Sequence, residues 1–281
     1  MKTLTDWFER YIGVKEYHGI VAVIQEWFYG YLEKASWCAT SMSYAAHYMG
    51  MLDQIGGKNE NVYFMMKAVE KHFREHYEGL FLYKKEMPTG ALLRRGAIVF
   101  MLNSGTVMDS GSNKHVTTSY KTLPYTGKGV FQALGGNQSD GIILKAYSQN
   151  KIYAVYYPMY GKNPKDYVKN LYKTALEREP DDGGFKYWYN GIYTGNCTGS
   201  SICKGFFLGR EYNNARRSNS EFVKGLYRGL LMREPDEKGY QYWMDILNED
   251  KETRSEVVKG FWASAEFSHI CDEYCIDKGE W

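Results

Sequence analysis

Residues 167–188, YVKNLYKTALEREPDDGGFKYW, and residues 222–243, FVKGLYRGLLMREPDEKGYQYW, are one segment written twice. The offset is 55 residues without a gap, and 12 of the 22 positions are identical. The register persists downstream, where CKGFFLGREY at 203–212 faces VKGFWASAEF at 258–267. A gapless repeat of this length implies a duplicated module, and this fixes the second half of the chain before any other feature is weighed. Val168, Leu171, Tyr172, Ala175 and Leu176 recur at helical spacing, so each unit opens with an amphipathic helix. Pro180 and Pro235 suit the first turn of the next helix, where a missing N–H costs nothing. Asp181 and Asp236 then lie near its positive end. The spacing predicts three helices per unit, with units at 166–212 and 221–267 inside an all-α domain over 166–281.

The first half has a different texture. Leu4, Trp7, Phe8 and Tyr11 mark an early helix, and further helices are expected over 38–50 and 61–73. Strand-like segments follow at 96–102, 115–120, 128–137 and 151–158, separated by Gly, Asn and Ser. Helices first and antiparallel strands after them indicate an α+β domain over 1–158, joined to the second half by a linker at 159–165, most of it in PMYGKNP (158–164). A chain of 281 residues accommodates two such domains.

Composition excludes several classes of protein. No run of 18 apolar residues exists, so no membrane span is expected. Asp6, Glu9 and Arg10 interrupt the place where a secretory signal has its apolar run, so synthesis in the cytoplasm without a signal peptide is expected. Residues 1–160 carry 17 basic and 13 acidic side chains and residues 161–281 carry 18 and 20, so neither half is basic enough for nucleic acid as the main partner. Aromatic residues reach 16%, with 26 Tyr, which suits a surface that stacks on sugars as well as an α-rich core.

Cys38, in ASWCATSMSYAAHYMG, falls at the first turn of the helix expected over 38–50. A helix N-terminus favours thiolate, so this position offers a mechanism for a lowered pKa and a candidate nucleophile. Of the six His, His115 stands apart because it opens a strand after a Gly/Ser/Asn-rich loop, where it can face a helix start. His18, His47, His72, His76 and His269 fall in a loop, three turns along the Cys38 helix, on a charged helical stretch or in the tail. Asn137, in LGGNQSDG, could accept the imidazole N–H and select its tautomer, the third role in a Cys-His unit. Cys197, Cys203, Cys271 and Cys275 remain open between two disulfides, a metal cluster and free thiols.

The order Trp-Cys-Ala at a helix start, Gly-Ala-Ile-Val-Phe, His-Val, then Gly-Asn-x-Ser-Asp-Gly and a closing strand resembles the CHAP (cysteine, histidine-dependent amidohydrolase/peptidase) family. It also resembles the papain-like, NlpC-type relatives of that family among peptidoglycan hydrolases, and phage endolysins of Gram-positive hosts in particular. The resemblance covers residues 1–158 and implies a papain-like fold, Cys38 as nucleophile, His115 as base and acid, and Asn137 as the orienting residue. It adds Tyr31 as an oxyanion candidate and implies no cofactor. Four positions depart from the family pattern: Ala97 where Asp is common, Thr117-Thr118 where Gly-Ile is common, and Gly135 where Glu is common.

The repeats resemble a short domain of unknown function found in tandem on bacterial wall-associated and secreted proteins. The expected function is cleavage of a stem-peptide or muramoyl amide bond, with bacterial peptidoglycan or a wall glycopolymer as partner. Trp188, Trp243 and Trp262 are candidate sugar platforms, with core packing as the alternative. The acidic residues around Asp181 and Asp236 read as helix-start charges rather than a metal site. A non-catalytic wall-binding protein on a decayed hydrolase scaffold and a cysteine protease acting on protein stay open as alternatives.

Overall fold

A computed structural model describes residues 2–32 and 35–281. Backbone contacts divide the chain into two units, Met1–Tyr160 and Gly161–Trp281. The first unit begins with helices α1 (Leu4–Glu9), α2 (Gly19–Tyr29), α3 (Cys38–Tyr48) and α4 (Val62–His76). Strands β1 (Leu80–Tyr83), β2 (Leu92–Leu93), β3 (Ile98–Leu102), β4 (Lys114–Ser119), β5 (Leu123–Pro124), β6 (Val130–Gly135), β7 (Ile143–Ser148) and β8 (Ile152–Tyr157) follow. Six of them form an antiparallel sheet in the order β1-β8-β3-β4-β6-β7, and β2 pairs with β5. The expected strands correspond to β3, β4, β6 and β8. Strands β1 and β7 are additions: β1 has four residues, and β7 is largely exposed, which removes the alternation that reveals a strand.

One face of this sheet forms the main core. Leu4 and Phe8 of α1, Met42 and Ala45 of α3, and Met65 and Val69 of α4 pack with Ile98, Phe100, Val116 and Leu134. The Thr pair that departs from the family pattern has a structural use. Buried Thr5 donates to Thr118 Oγ1 at 2.8 Å, and Thr118 donates to the Leu134 carbonyl at 2.7 Å, so α1, β4 and β6 are tied inside the core. Arg95 reinforces the docking of α1 by donating to Asp6 and Glu9, each at 2.7 Å.

The connection from β7 to β8 forces curvature on the sheet. These strands stand four places apart in the order, about 19 Å in a flat sheet. Only residues Gln149–Lys151 join them, a reach of about 14 Å. The sheet therefore curls, and β7 comes over the face of β4 that points away from the helices. Tyr147 of β7 lies 6.0 Å from the His115 ring, centroid to centroid.

The second unit contains α5 (Pro164–Ala175), α6 (Asp182–Thr194), α7 (Gly199–Phe207), α8 (Arg210–Asn214), α9 (Asn219–Leu230), α10 (Glu237–Asn248), α11 (Arg254–Ala263) and α12 (Ala265–Glu273). The first four helices start 55 residues before the last four, one for one. Where the sequence reading gives three helices per segment, four are present, because the chain extends at Gly209 and Ser264 and a short helix restarts. The linker is also shorter than 159–165. The Tyr160 hydroxyl donates to the Gly96 carbonyl at 2.7 Å, and Asn163 already caps α5 through the Lys165 amide.

The Arg-Glu-Pro-Asp motif holds each set of helices together. The Arg178 guanidinium lies 4.8 Å from the Tyr172 ring and donates to Glu211 at 3.0 Å, while Asp181 accepts the Gly184 amide at 2.8 Å and starts α6. Arg233, Tyr227, Glu266, Asp236 and Gly239 repeat the arrangement, with 4.9, 2.9 and 2.9 Å for the same three contacts. Both glycines are required by close approach: a Cβ at Gly184 or Gly239 would stand 2.2 Å from the Tyr172 or Tyr227 hydroxyl. Gly184→Ala should destabilise the helical unit by about 1–3 kcal/mol in urea unfolding. Adding Tyr172→Phe should recover part of that loss, and a Gly184→Ala protein as stable as the parent would contradict the packing described.

Candidate active site

Helix α3 starts at Cys38 behind Trp37, which sits at the N-cap and supplies no capping side chain. The first-turn amides are therefore left to other acceptors. Thr40 and Ser41 turn their hydroxyls back to the Trp37 and Cys38 carbonyls at 3.0 and 2.9 Å. The start of the helix is pressed against the end of β6, where a Cβ on Gly136 would stand 2.2 Å from Ser41 Oγ and 2.6 Å from the Trp37 ring.

That contact shapes the sheet beside Cys38. Strands β4 and β6 pair at Thr118↔Leu134 and Ser119↔Ala133. If the ladder continued, Val116 would face Gly136 and His115 would face Asn137. Instead β6 follows α3, and the Val116 amide, with the Ala39 amide and the residue's own, favours a negative charge on the Cys38 sulfur. Alternation along β4 sends Val116 into the core and His115 to the opposite face. The thiol thus meets the β4 backbone one residue from the imidazole.

The state of the thiol differs from the expectation of a helix-start thiolate. Cys38 is buried, and burial pushes its pKa up, outweighing the three amides that favour the anion. Burial also pulls the His115 pKa down to about 4, with the Lys145 charge acting in the same direction. At neutral pH both groups are uncharged. Tyr147 is drawn into the same electrostatic environment, its phenol pushed up to about 12 by burial and by the charge Cys38 would carry.

His115 faces a polar cavity of about 470 Å³ that is also lined by Asn137, Gln138, Lys145 and Tyr147. Asn137 and His115 are therefore brought to one cavity, but the expected hydrogen bond between them is not made. The buried His115 Nε2 has no partner. Asn137 instead adopts a left-handed backbone at φ 58°, followed by Ser139 and Asp140 at φ 54° and 58°, so it serves the turn that carries β6 into β7. Tyr31 is exposed, lies beside Tyr29 and does not line this cavity, so it supplies no oxyanion donor here. Ala97 is buried, with no room for the solvated carboxylate of the family pattern.

Gln138 is a site residue that the sequence reading does not contain. It is buried, and its Nε2 lies within hydrogen-bond distance of Ile143 O, Gly135 O and Thr117 Oγ1 at 3.1, 3.3 and 3.4 Å. Its Oε1 is left without a partner beside the same cavity. Its only sequence signal is adjacency to Asn137 in a turn. Lys145 and Tyr147 are likewise missed, because β7 itself gives no clear periodic signal.

In the second unit, Trp188 packs at 4.9 Å on Phe206 and Trp243 at 5.3 Å on Phe261, covering Gly205 and Gly260. Trp262 lies 5.6 Å from Trp281 and donates to the Lys278 carbonyl. These three rings are half-buried packing elements. The exposed aromatics are their neighbours Tyr187 and Tyr242. None of the five cysteines forms a disulfide, and burial raises Cys197 to about 11 and Cys271 to about 12. Among the described residues, no helix is long and apolar enough to cross a membrane.

A family described as a domain of unknown function, DUF4214, matches residues 156–217 and 204–271, and no family match covers the Cys38–His115 unit. No curated protein and no solved structure matches the chain.

The His115 environment gives a pH prediction. The imidazole protonates near 6.5 in the unfolded chain but only near 4 when folded, so the unfolded state binds more protons between those values. Stability should therefore fall as pH drops from 6.5 towards 4, with His115 contributing about 3 kcal/mol of the loss. Urea unfolding at pH 7 and pH 4 should show a smaller loss for His115→Gln than for the parent. An equal loss in both proteins would contradict the buried neutral imidazole.

Proposed function

We propose that the chain is a cysteine-dependent hydrolase of a papain-like, CHAP and endolysin type that cleaves an amide bond in bacterial peptidoglycan. The observation that carries the proposal is the Cys38 thiol at the start of α3, beside the strand that carries His115, an imidazole whose Nε2 is buried without a partner. Cys38 packs on the core face of β4 and His115 on the other, so the proposal requires the α3 start and the end of β4 to shift until the imidazole reaches the sulfur; the Cys38 proton then passes to His115 as sulfur attacks the amide carbonyl. The imidazolium then protonates the leaving amine, and a thioester remains. His115 next takes a proton from water, the resulting hydroxide attacks the thioester, and the thiol regains its proton. The amide groups of the α3 start are the nearest candidates for stabilising the oxyanion.

The tandem helical segment would retain the enzyme on the wall after it leaves the cytoplasm. Exposed Tyr187 and Tyr242, 55 residues apart, are better placed for sugar contact than the packed tryptophans. The burial of Cys38 favours a second reading, wall binding without cleavage on a scaffold that keeps the residues of a hydrolase.

Cys38→Ser should abolish the loss of turbidity of a purified wall suspension, and His115→Ala should cost a similar factor because the two act as one unit. Asn137→Ala should retain most activity, since it makes no hydrogen bond to the imidazole. Mass spectrometry of released fragments identifies the bond. Walls left intact by the parent protein but sedimenting with it would favour the second reading.

A further inference from the structure

A cavity of about 1160 Å³ in the first unit lies beside the His115 cavity rather than within it. It forms where β1 and β3 end and β8 begins. Asn103 and Lys151 line both cavities, so the two are neighbours along one surface. Tyr83, Tyr125 and Tyr153 supply aromatic rings, and Lys84, Lys85 and Lys151 supply positive charge. No carboxylate lines it among the described residues. Tyr83 and Tyr153 brace one another edge to face at 5.9 Å, and the Tyr83 hydroxyl donates to Glu70 at 2.6 Å, so the rings are fixed before any ligand arrives. Lys85 and Lys151 have no carboxylate partner among the described residues, and their charge remains available to a ligand.

We infer that this cavity binds an anionic glycopolymer, with sugar rings against the tyrosines and carboxylate or phosphate groups against the lysines. The volume exceeds what a single small molecule needs, and the opening continues towards His115, so the ligand is a chain rather than a monomer. Aromatic rings with cations also suit single-stranded nucleic acid. The formal net charge of +2 for the whole chain disfavours that occupant, because nucleic-acid binding draws on a strongly basic surface. The inference rests on the proposed wall substrate for its choice of polymer, but binding here needs no cleavage.

The test uses the full chain carrying Cys38→Ala, so that no bond is cut, with binding followed by calorimetry at two salt concentrations. The probes are soluble glycan strands with free muramic acid carboxylates, a sugar-bearing polyol phosphate, neutral chitooligosaccharide and a single-stranded oligonucleotide. At least one of the two anionic sugar polymers should bind, more weakly at higher salt, and the comparison between them identifies carboxylate or phosphate as the anion. Chitooligosaccharide should bind about tenfold more weakly or less. Lys85→Glu with Lys151→Glu should cost about tenfold or more, and Tyr125→Ala should weaken binding in a protein with unchanged circular dichroism. Equal binding of the neutral chain, unchanged binding by the double variant, or preference for the oligonucleotide overturns the inference. Groove-dependent binding without wall lysis by the parent protein keeps the inference and removes the hydrolase reading. Wall lysis with unchanged binding by the double variant does the reverse.

Discussion

The contact between Gly136 and the first turn of α3 organises the first unit. No side chain fits at Gly136, since a Cβ would lie 2.2 Å from Ser41 Oγ and 2.6 Å from the Trp37 ring. The glycine therefore lets the end of β6 follow the helix instead of β4. Two consequences stem from this choice. The Val116 amide is left free of β6 and favours negative charge on the Cys38 sulfur, and the turn that follows β6 brings Gln138 and Asn137 to the cavity faced by His115. The curl imposed by the short β7–β8 connection closes that cavity with Tyr147 and Lys145. Enclosure then sets the protonation states: burial disfavours both thiolate and imidazolium, and the three amides around sulfur do not reverse it.

The second unit was far more legible in the sequence than the first. Its 55-residue offset reappears in the starts of all eight helices. The Arg-Glu-Pro-Asp motif is explained by packing alone: Arg178 stacks on Tyr172 and holds Glu211, while Asp181 caps α6. What the periodicity concealed is the break at Gly209 and Ser264, because a one-residue extension barely disturbs an apolar pattern. In the first unit the strands with alternating or continuous apolar residues were legible. Exposed β7 was not, and with it went the residues that close the cavity over His115.

The candidate site was half legible. A helix start at Cys38 and a strand mouth at His115 follow from local pattern, and both are present. The charge on the thiol does not follow, because it depends on burial by segments distant in sequence. Asn137 has the side chain of an orienting residue, but its left-handed backbone places it in the turn after β6. Gln138, one residue later, carries the buried amide with an unpartnered oxygen, and nothing in a Gly-Gly-Asn-Gln-Ser turn distinguishes the two beforehand.

The central claim is that Cys38 and His115 are both neutral at rest, the state from which the proposed hydrolase would have to ionise the thiol. Alkylation of Cys38 by iodoacetamide across pH 5 to 10, read by peptide mass spectrometry of the full chain, tests this directly. The account predicts slow labelling at pH 7 that rises only in alkaline solution, above the ordinary thiol range. Rapid labelling on a plateau from pH 5 upward, lost in His115→Ala, would reveal a resting thiolate–imidazolium pair and contradict it.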